Sequence, residues 1–256
     1  MEAGADQMET PLLGKRLLLV RPQGVVSQLE VGLQQLGAVV ETIALTQVVP
    51  LPLASSSVVT QADWVLFTSQ QGLLHGWQYL PVPIPNIAVV GQATQAAVER
   101  LGGVVSFCAK RASAKGLVTE LLAVWQQQRI TQPQQVLWVG SALADTTIME
   151  QLFTPAGHTV VCVPVYNTVP LVLSTGQLAG MQQRINEFSP NAVVVTSASG
   201  VEALATAGLQ LGVTCTLVSL GQRTTHAILT FDWACGFVEV LEPTPRGIAV
   251  ALSNNS

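Results

Sequence analysis

Hydroxyl side chains set beside glycine recur along the 256-residue chain, each directly after a short apolar run. The places are Thr68-Ser69, Gly91–Thr94, Ser113, Thr196-Ser197, Gly221–Thr225 and Thr244. Such a residue at such a junction opens a helix. The first N–H groups of a helix are unpaired and lie at the positive end of its dipole. Donors of that kind bind carboxylate or phosphate. A Ser or Thr there is also an ordinary N-cap, stabilising its helix by about 1 kcal/mol. Six places in two matching sets point further, to one shared anionic ligand.

Full charges contribute little. Charged residues make up 10% of the chain, 11 Lys+Arg against 15 Asp+Glu, for a net charge of -4; an ordinary globular chain carries about 25%. The balance excludes a nucleic-acid binder, which needs a basic face. With 49% hydrophobic residues the chain is also not disordered. No apolar run approaches the roughly 18 residues of a membrane span. His75, His158 and His226 are dispersed, without carboxylate or cysteine at ligand spacing. His158, next to Gly157, reads as a solvated turn residue, and His226 as a candidate to face the ligand. Asp63 precedes a strand and Asp145 begins a helix, so no carboxylate pair marks acid–base work. No dinucleotide glycine motif, P-loop or nucleophile elbow occurs. Cys108, Cys162, Cys215 and Cys235 form no CxxC or metal spacing. They read as buried thiols of a cytoplasmic protein, and no metal or cofactor is expected. Met1–Pro11 lacks the basic start and apolar core of a secretory signal, and Met1–Gly14 reads as a mobile tail.

The elements that position the hydroxyl clusters alternate. Strand-sized apolar runs are Lys15–Val20, Ala38–Leu45, Trp64–Phe67, Ile87–Val90, Val104–Phe107, Val136–Val139, Val160–Val165, Ala192–Val195 and Cys215–Leu220. Helical spacing falls between them, at Gln23–Leu36, Thr94–Leu101, Ala114–Gln128, Thr146–Phe153 and Gly200–Ala207. Alternation of this kind predicts an α/β protein with parallel sheets covered on both faces.

The chain also repeats itself. Thr68-Ser69 matches Thr196-Ser197 at an offset of 128, and Gly91-Gln-Ala-Thr94 matches Gly221-Gln-Arg-Thr224 at 130. Ser113-Ala-Lys-Gly116 matches Thr244-Pro-Arg-Gly247 at 131. Gly37-Ala-Val-Val40 matches Gly157-His-Thr-Val160, and Pro50 matches Pro170, both at 120. Ordered matches with slowly growing offsets indicate an internal duplication: two α/β lobes with a ligand cleft between them. In open α/β sheets ligands lie beyond the carboxyl ends of the strands, where the clusters fall. The residues and their repeat alone would cut the chain once, near Pro133.

These residues together resemble the uroporphyrinogen-III synthase family, from about Leu17 to Leu252. The resemblance rests on Val20-Arg21-Pro22, Asp63–Ser69 with Gln70, Val90–Thr94, Val165-Tyr166, Thr196–Gly200, Gly221–Thr225 and Pro243–Gly247. The chain departs from the family at Trp138-Val-Gly-Ser141, which lacks the family's Arg. It also has Gln where the Gly-Pro-x-Thr turns have Pro. The resemblance implies two flavodoxin-like lobes joined by a two-strand linker: residues 1–43 with 167–256, and residues 44–166. It implies cyclisation of hydroxymethylbilane, a linear tetrapyrrole with eight carboxylates, to uroporphyrinogen III. That is a hydro-lyase reaction of porphyrin (haem) biosynthesis, with inversion of the last ring (ring D) and no cofactor.

In that chemistry loss of the hydroxyl gives a cationic azafulvene, a pyrrole carbon attacks it to form a spiro intermediate, and the ring reopens and closes inverted. The enzyme's task is then orientation. Tyr166, at the expected crossing between lobes, is implied as the acid for the departing hydroxyl, since a phenol is protonated at neutral pH. The implied substrate-binding residues are Arg21, Thr68, Ser69, Gln70, Gly91, Thr94, Ser113, Thr196, Ser197, Ser199, Gly200, Gly221, Thr224 and Thr225. The implied protein is a monomer receiving its substrate from the bilane-forming enzyme. The alternatives are a non-enzymatic bilobed binding protein for small anions and a two-lobed glycosyltransferase.

Overall fold

A computed structural model describes residues 10–24, 28–53, 62–80, 83–111 and 113–254. The chain opens with β1 (Arg16–Pro22), α1 (Gln28–Gln35) and the long strand β2 (Val39–Pro50). Then come β3 (Trp64–Phe67), α2 (Gln70–Gly76) with a 3-10 turn at Trp77–Tyr79, β4 (Asn86–Val90) and α3 (Gln92–Arg100). They are followed by β5 (Val105–Ala109), α4 (Ala114–Gln127), β6 (Gln135–Ser141), α5 (Thr147–Phe153) and a second long strand, β7 (Thr159–Pro170). The chain ends with α6 (Thr175–Phe188), β8 (Ala192–Val195), α7 (Ala198–Thr206), β9 (Thr216–Ser219), α8 (Gln222–Leu229), β10 (Gly236–Glu239) and α9 (Pro245–Ser253).

The chain divides into two compact units, Met1–Val48 with Val169–Ser256, and Val49–Thr168. We call them unit 1 and unit 2. The strand order is β10-β9-β8-β1-β2 in unit 1 and β7-β6-β3-β4-β5 in unit 2. The pairs β1–β2, β1–β8, β8–β9 and β9–β10 of unit 1 are parallel. So are β3–β4, β3–β6, β4–β5 and β6–β7 of unit 2. Counted along the chain, unit 1 has the flavodoxin-like order 2-1-3-4-5 and unit 2 the order 3-2-1-4-5. They are one arrangement entered at different points: β8, β9, β10, β1 and β2 stand where β3, β4, β5, β6 and β7 stand in the other unit. Unit 1 is a circular permutation of unit 2.

The long strands carry the repeat to single bonds. The Leu51 N–H bonds the Val165 carbonyl inside unit 2, and the Leu171 N–H bonds the Leu45 carbonyl inside unit 1, each at 2.9 Å. Those pairs map onto one another at the offset of 120. A register shift falls between Arg21 and Pro22 in the β1–β2 pair and between Gly140 and Ser141 in the β6–β7 pair, opposite Thr46 and Tyr166 respectively.

Burial on both sheet faces explains the apolar composition. All four residues of β3 and all four of β8 are buried. In unit 1, Leu18, Val193, Leu204 and Leu217 fill one face and Leu17, Val194, Val218 and Ile248 the other. In unit 2, Leu66, Leu117, Trp125 and Phe153 oppose Phe67, Leu73, Val89 and Val165.

Some expectations are corrected. Of the expected tail, Met1–Glu9 lies outside the described residues. Thr10–Gly14 is tied down instead: Leu12 is 1% exposed in the core and its N–H bonds the Leu36 carbonyl at 3.0 Å. The first helix begins at Gln28 rather than Gln23, and residues 25–27 lie outside the described residues. The helix α6, absent from the sequence reading, has a capping box, with Ser174 accepting from the Gln177 N–H. His158 is buried rather than solvated. Its Nδ1 accepts the Gln134 N–H at 3.1 Å, and Trp125 stands edge-on to its ring at 4.8 Å.

Candidate functional site

Four helices begin with the same local chemistry. Ser69 caps α2, Ser113 caps α4, Ser197 caps α7 and Thr244 caps α9. Each hydroxyl accepts the N–H of the glycine three residues on: Gly72 at 3.1 Å, Gly116 at 3.0 Å, Gly200 at 3.2 Å and Gly247 at 3.0 Å. The glycines allow a close approach. A Cβ on Gly72 would stand 2.7 Å from the Val139 carbonyl oxygen, and one on Gly247 would overlap the Glu242 carbonyl. The helices α3 and α8 open instead on Gly91 and Gly221, at φ +77° and +123°. Only glycine takes such angles readily.

The caps therefore serve as ordinary N-caps, and one lone pair of each hydroxyl is committed. Thr94 and Thr224 are 4% and 5% exposed, packed inward on the first turns of α3 and α8. They do not stand in an accessible row. Ser69, Thr196, Ser197 and Ser199 are half-buried, and Gln70, Ser113 and Thr244 are exposed.

Of the expected residues of unit 2, Ser69 is the one brought to Tyr166, on β7. The phenol oxygen lies 3.3 Å from Ser69 Oγ, although 97 residues separate them. The His75 ring, on the last turn of α2, lies against the Tyr166 ring with centroids 5.9 Å apart. Thr68 accepts the indole N–H of Trp138 at 3.1 Å, which ties the end of β3 to β6. His75 and Trp138 were not among the expected residues; in hindsight His75 stands six positions after Ser69, on the same helix. Ser113 and Gly91 have no contact to this group.

Unit 1 uses its hydroxyls differently. Thr196 donates to the Val20 carbonyl at 3.3 Å, and the Ser197 and Ser199 hydroxyls are 3.1 Å apart. Thr225 is fully engaged, 2.6 Å from Ser219 Oγ and 2.6 Å from a Glu239 carboxylate oxygen. A hydroxyl has one proton, and the carboxylate takes it. Thr225 therefore does not offer a donor to an external anion, contrary to expectation. The protein's own Glu239, at the end of β10, places its carboxylate against the first turn of α8, where the dipole favours a negative charge. Arg21, next to last in β1, pairs with Glu30 at 2.9 Å. Its guanidinium is thus held in the wall of unit 1.

Burial pushes the Cys162 thiol up to about 11 and Cys215 to about 12, and raises Cys108 and Cys235. All four cysteines are free. Burial lowers His158, and His226 is exposed. Among the described residues no three His, Cys, Asp or Glu side chains cluster as metal ligands would, and no helix is long and apolar enough to cross a membrane.

Fold and site together define a class: a duplicated, doubly wound α/β protein whose strand ends present hydroxyls and backbone N–H groups. The sequence pattern of uroporphyrinogen-III synthase HemD matches residues 8–245, so the chain belongs to the uroporphyrinogen-III synthase family. That family is the cyclising hydro-lyase that turns hydroxymethylbilane into uroporphyrinogen III in tetrapyrrole biosynthesis. The uroporphyrinogen-III synthetase of Helicobacter pylori 26695 has the same fold, with TM-score 0.60 at 13% identity over 94% of this chain and 99% of that one. A uroporphyrinogen III synthase of Thermus thermophilus aligns over 94% of this chain and 99% of its own, with TM-score 0.44 and 14% identity. No curated protein matches the chain by sequence.

Proposed function

We propose that Tyr166 supplies the proton for the hydroxyl that leaves hydroxymethylbilane, and that the accessible strand-end hydroxyls hold substrate carboxylates. The 3.3 Å approach of Tyr166 to Ser69 carries this reading. Ser69 Oγ accepts the Gly72 N–H, and in this reading, of the two directions the 3.3 Å contact allows, Ser69 donates to the phenol oxygen. The phenolic proton is then left for the substrate. Transfer of that proton as the carbon–oxygen bond breaks releases water and leaves the azafulvene cation. The remaining steps depend on orientation, which costs less when the carboxylates are already held. Gln70, Gly91 and Ser113 serve in unit 2, and the Ser197–Ser199 pair with Gly221 in unit 1, whereas Ser69, Thr196 and Gly200 give their protons to Tyr166, the Val20 carbonyl and Ser197. Arg21, Thr68, Thr94, Thr224 and Thr225 shape the walls behind them.

Tyr166→Phe keeps the ring and removes the proton. Turnover is expected to fall about 10–100-fold, at or below the low end of what one general acid contributes. The assay feeds freshly made hydroxymethylbilane, oxidises the products and resolves isomers I and III. An unchanged rate of isomer III refutes the acid role. The anion-binding-protein alternative predicts no isomer III above background from the native chain. The same reading keeps the protein a cytoplasmic monomer that takes its substrate by transient hand-over. Its four free thiols support a reducing compartment, and sedimentation with and without the bilane-forming enzyme tests the rest.

A further inference from the structure

The half-buried His75 stands against the Tyr166 side chain, with ring centroids 5.9 Å apart and planes tilted by 39°. Ser69, the cap of the same helix, lies 3.3 Å from the phenol oxygen. The helix α2 therefore meets Tyr166 twice, with a hydroxyl at the tip of the phenol and an aromatic ring along its side.

The packing of α2 brings its last turn this close. A Cβ on Gly76, the residue after His75, would overlap Val139 Cγ1, so that turn lies directly on β6, the strand beside β7. The other unit shows what this is for. At the repeat offsets Tyr166 corresponds to Thr46, His75 to Ala203 and Gly76 to Leu204. The three positions change together. The unit without the phenol lacks both the ring that flanks it and the glycine that brings the ring near. Scaffold packing does not require a ring there, since unit 1 has the same arrangement of strands and helices with alanine in its place. A tyrosine side chain has several staggered rotamers, and few of them aim the phenol at one given atom. A hydrogen bond at the oxygen fixes the tip and leaves the plane of the ring free to tilt. A second ring alongside restricts that tilt.

We propose that His75 is a positioning residue: its imidazole packs along Tyr166 and holds the phenol in the orientation from which its proton reaches the leaving hydroxyl. This rests on the reading of Tyr166 as the acid. An aromatic pair of this kind shifts an equilibrium between side-chain orientations by roughly 2–10-fold.

His75→Ala is accordingly expected to lower kcat for hydroxymethylbilane about 2–10-fold, with KM nearly unchanged, at a temperature well below the Tm of each variant. His75→Phe keeps an aromatic ring at the position and is expected to restore kcat. In a Tyr166→Phe background His75→Ala is expected to cost nothing further, because the proton it positions is gone. An equal loss in both backgrounds means that His75 acts without the phenol, and overturns the proposal. So does a His75→Phe no better than His75→Ala, or a rise in KM at unchanged kcat, which assigns His75 to substrate binding instead. If Tyr166→Phe lowers kcat and His75→Ala does not, only the role of His75 fails. If Tyr166→Phe leaves kcat unchanged, the acid reading fails and the positioning role falls with it.

Discussion

Units 1 and 2 keep the same scaffold and part company at the strand ends. What persists is steric: the Ser/Thr caps, the glycines they bond, and the two positive-φ glycines Gly91 and Gly221. What differs is chemical. Tyr166 in one unit stands against Thr46 in the other, His75 against Ala203, and Val89, Gln95 and Cys108 against Ser219, Thr225 and Glu239. The last set is supported by register, since Val89 pairs with Cys108 as Ser219 pairs with Glu239. Backbone packing tolerates little change, so it survived in both copies. At these strand ends the side chains have diverged even where they are buried, as at Val89 and Ser219.

The comparison can be broken at its steric half first, where the expected effect is largest. Gly247→Ala places a methyl into the Glu242 carbonyl, which is backbone and cannot rotate away. Gly200→Ala meets Val195 at 3.2 Å, a side chain that can shift. About 3 kcal/mol of destabilisation is expected for the first and about 1 kcal/mol for the second, measured by urea unfolding. Equal losses mean that the fixed Glu242 carbonyl constrains its glycine no more than the movable Val195 side chain does. The next largest effect is chemical, the roughly 10–100-fold loss of turnover in Tyr166→Phe.

A smaller effect sharpens the same contrast. Ser69→Ala and Ser197→Ala each remove a cap worth about 1 kcal/mol. Only Ser69→Ala is expected also to lower kcat, because only Ser69 touches the phenol. A matching fall in kcat for both variants argues against separate roles. His158 belongs to unit 2 alone, since its counterpart in unit 1 is Ala38. Burial holds it below its free value of 6.5. The unfolded chain binds the proton that the folded chain resists, so this stability is full above pH 6.5 and is lost as pH falls through and below it. The Tm is expected to drop as pH falls below about 6.5, and the drop to shrink in His158→Gln. A drop of the same size in the variant removes His158 as its source. The smallest effect is in salt. With few full charges at the strand ends, KM is expected to respond weakly to ionic strength, and Thr196→Lys to steepen the response.

Much of the fold was legible because burial on both faces leaves a plain mark. The runs Trp64–Phe67 and Ala192–Val195 coincide with β3 and β8 to the residue. The helix α6 left no such mark, since Ile185 is its one buried residue. At the site, residue types at strand ends were readable and their partners were not. The Tyr166–Ser69 contact joins positions 97 apart, and Glu239 closing on Thr225 depends on how β10 lies beside β9. Burial of Thr94 and Thr224 was hidden for the same reason. A threonine three residues after a glycine cap reads alike whether it faces inward or outward.

The circular permutation bears on the order of assembly. Unit 2 is one continuous stretch, and each of its strand pairs closes within that stretch. Unit 1 joins the two ends of the chain, with the Arg16 N–H bonded to Asn191 Oδ1 across 175 residues. Long loops close slowly, and chains emerge from the ribosome N-terminal end first. The strands β1 and β2 are therefore made early and wait, with their apolar faces uncovered, until β8 arrives. Pulse-labelled hydrogen exchange during refolding is expected to show protection of Trp64–Phe67 before that of Leu17–Val20.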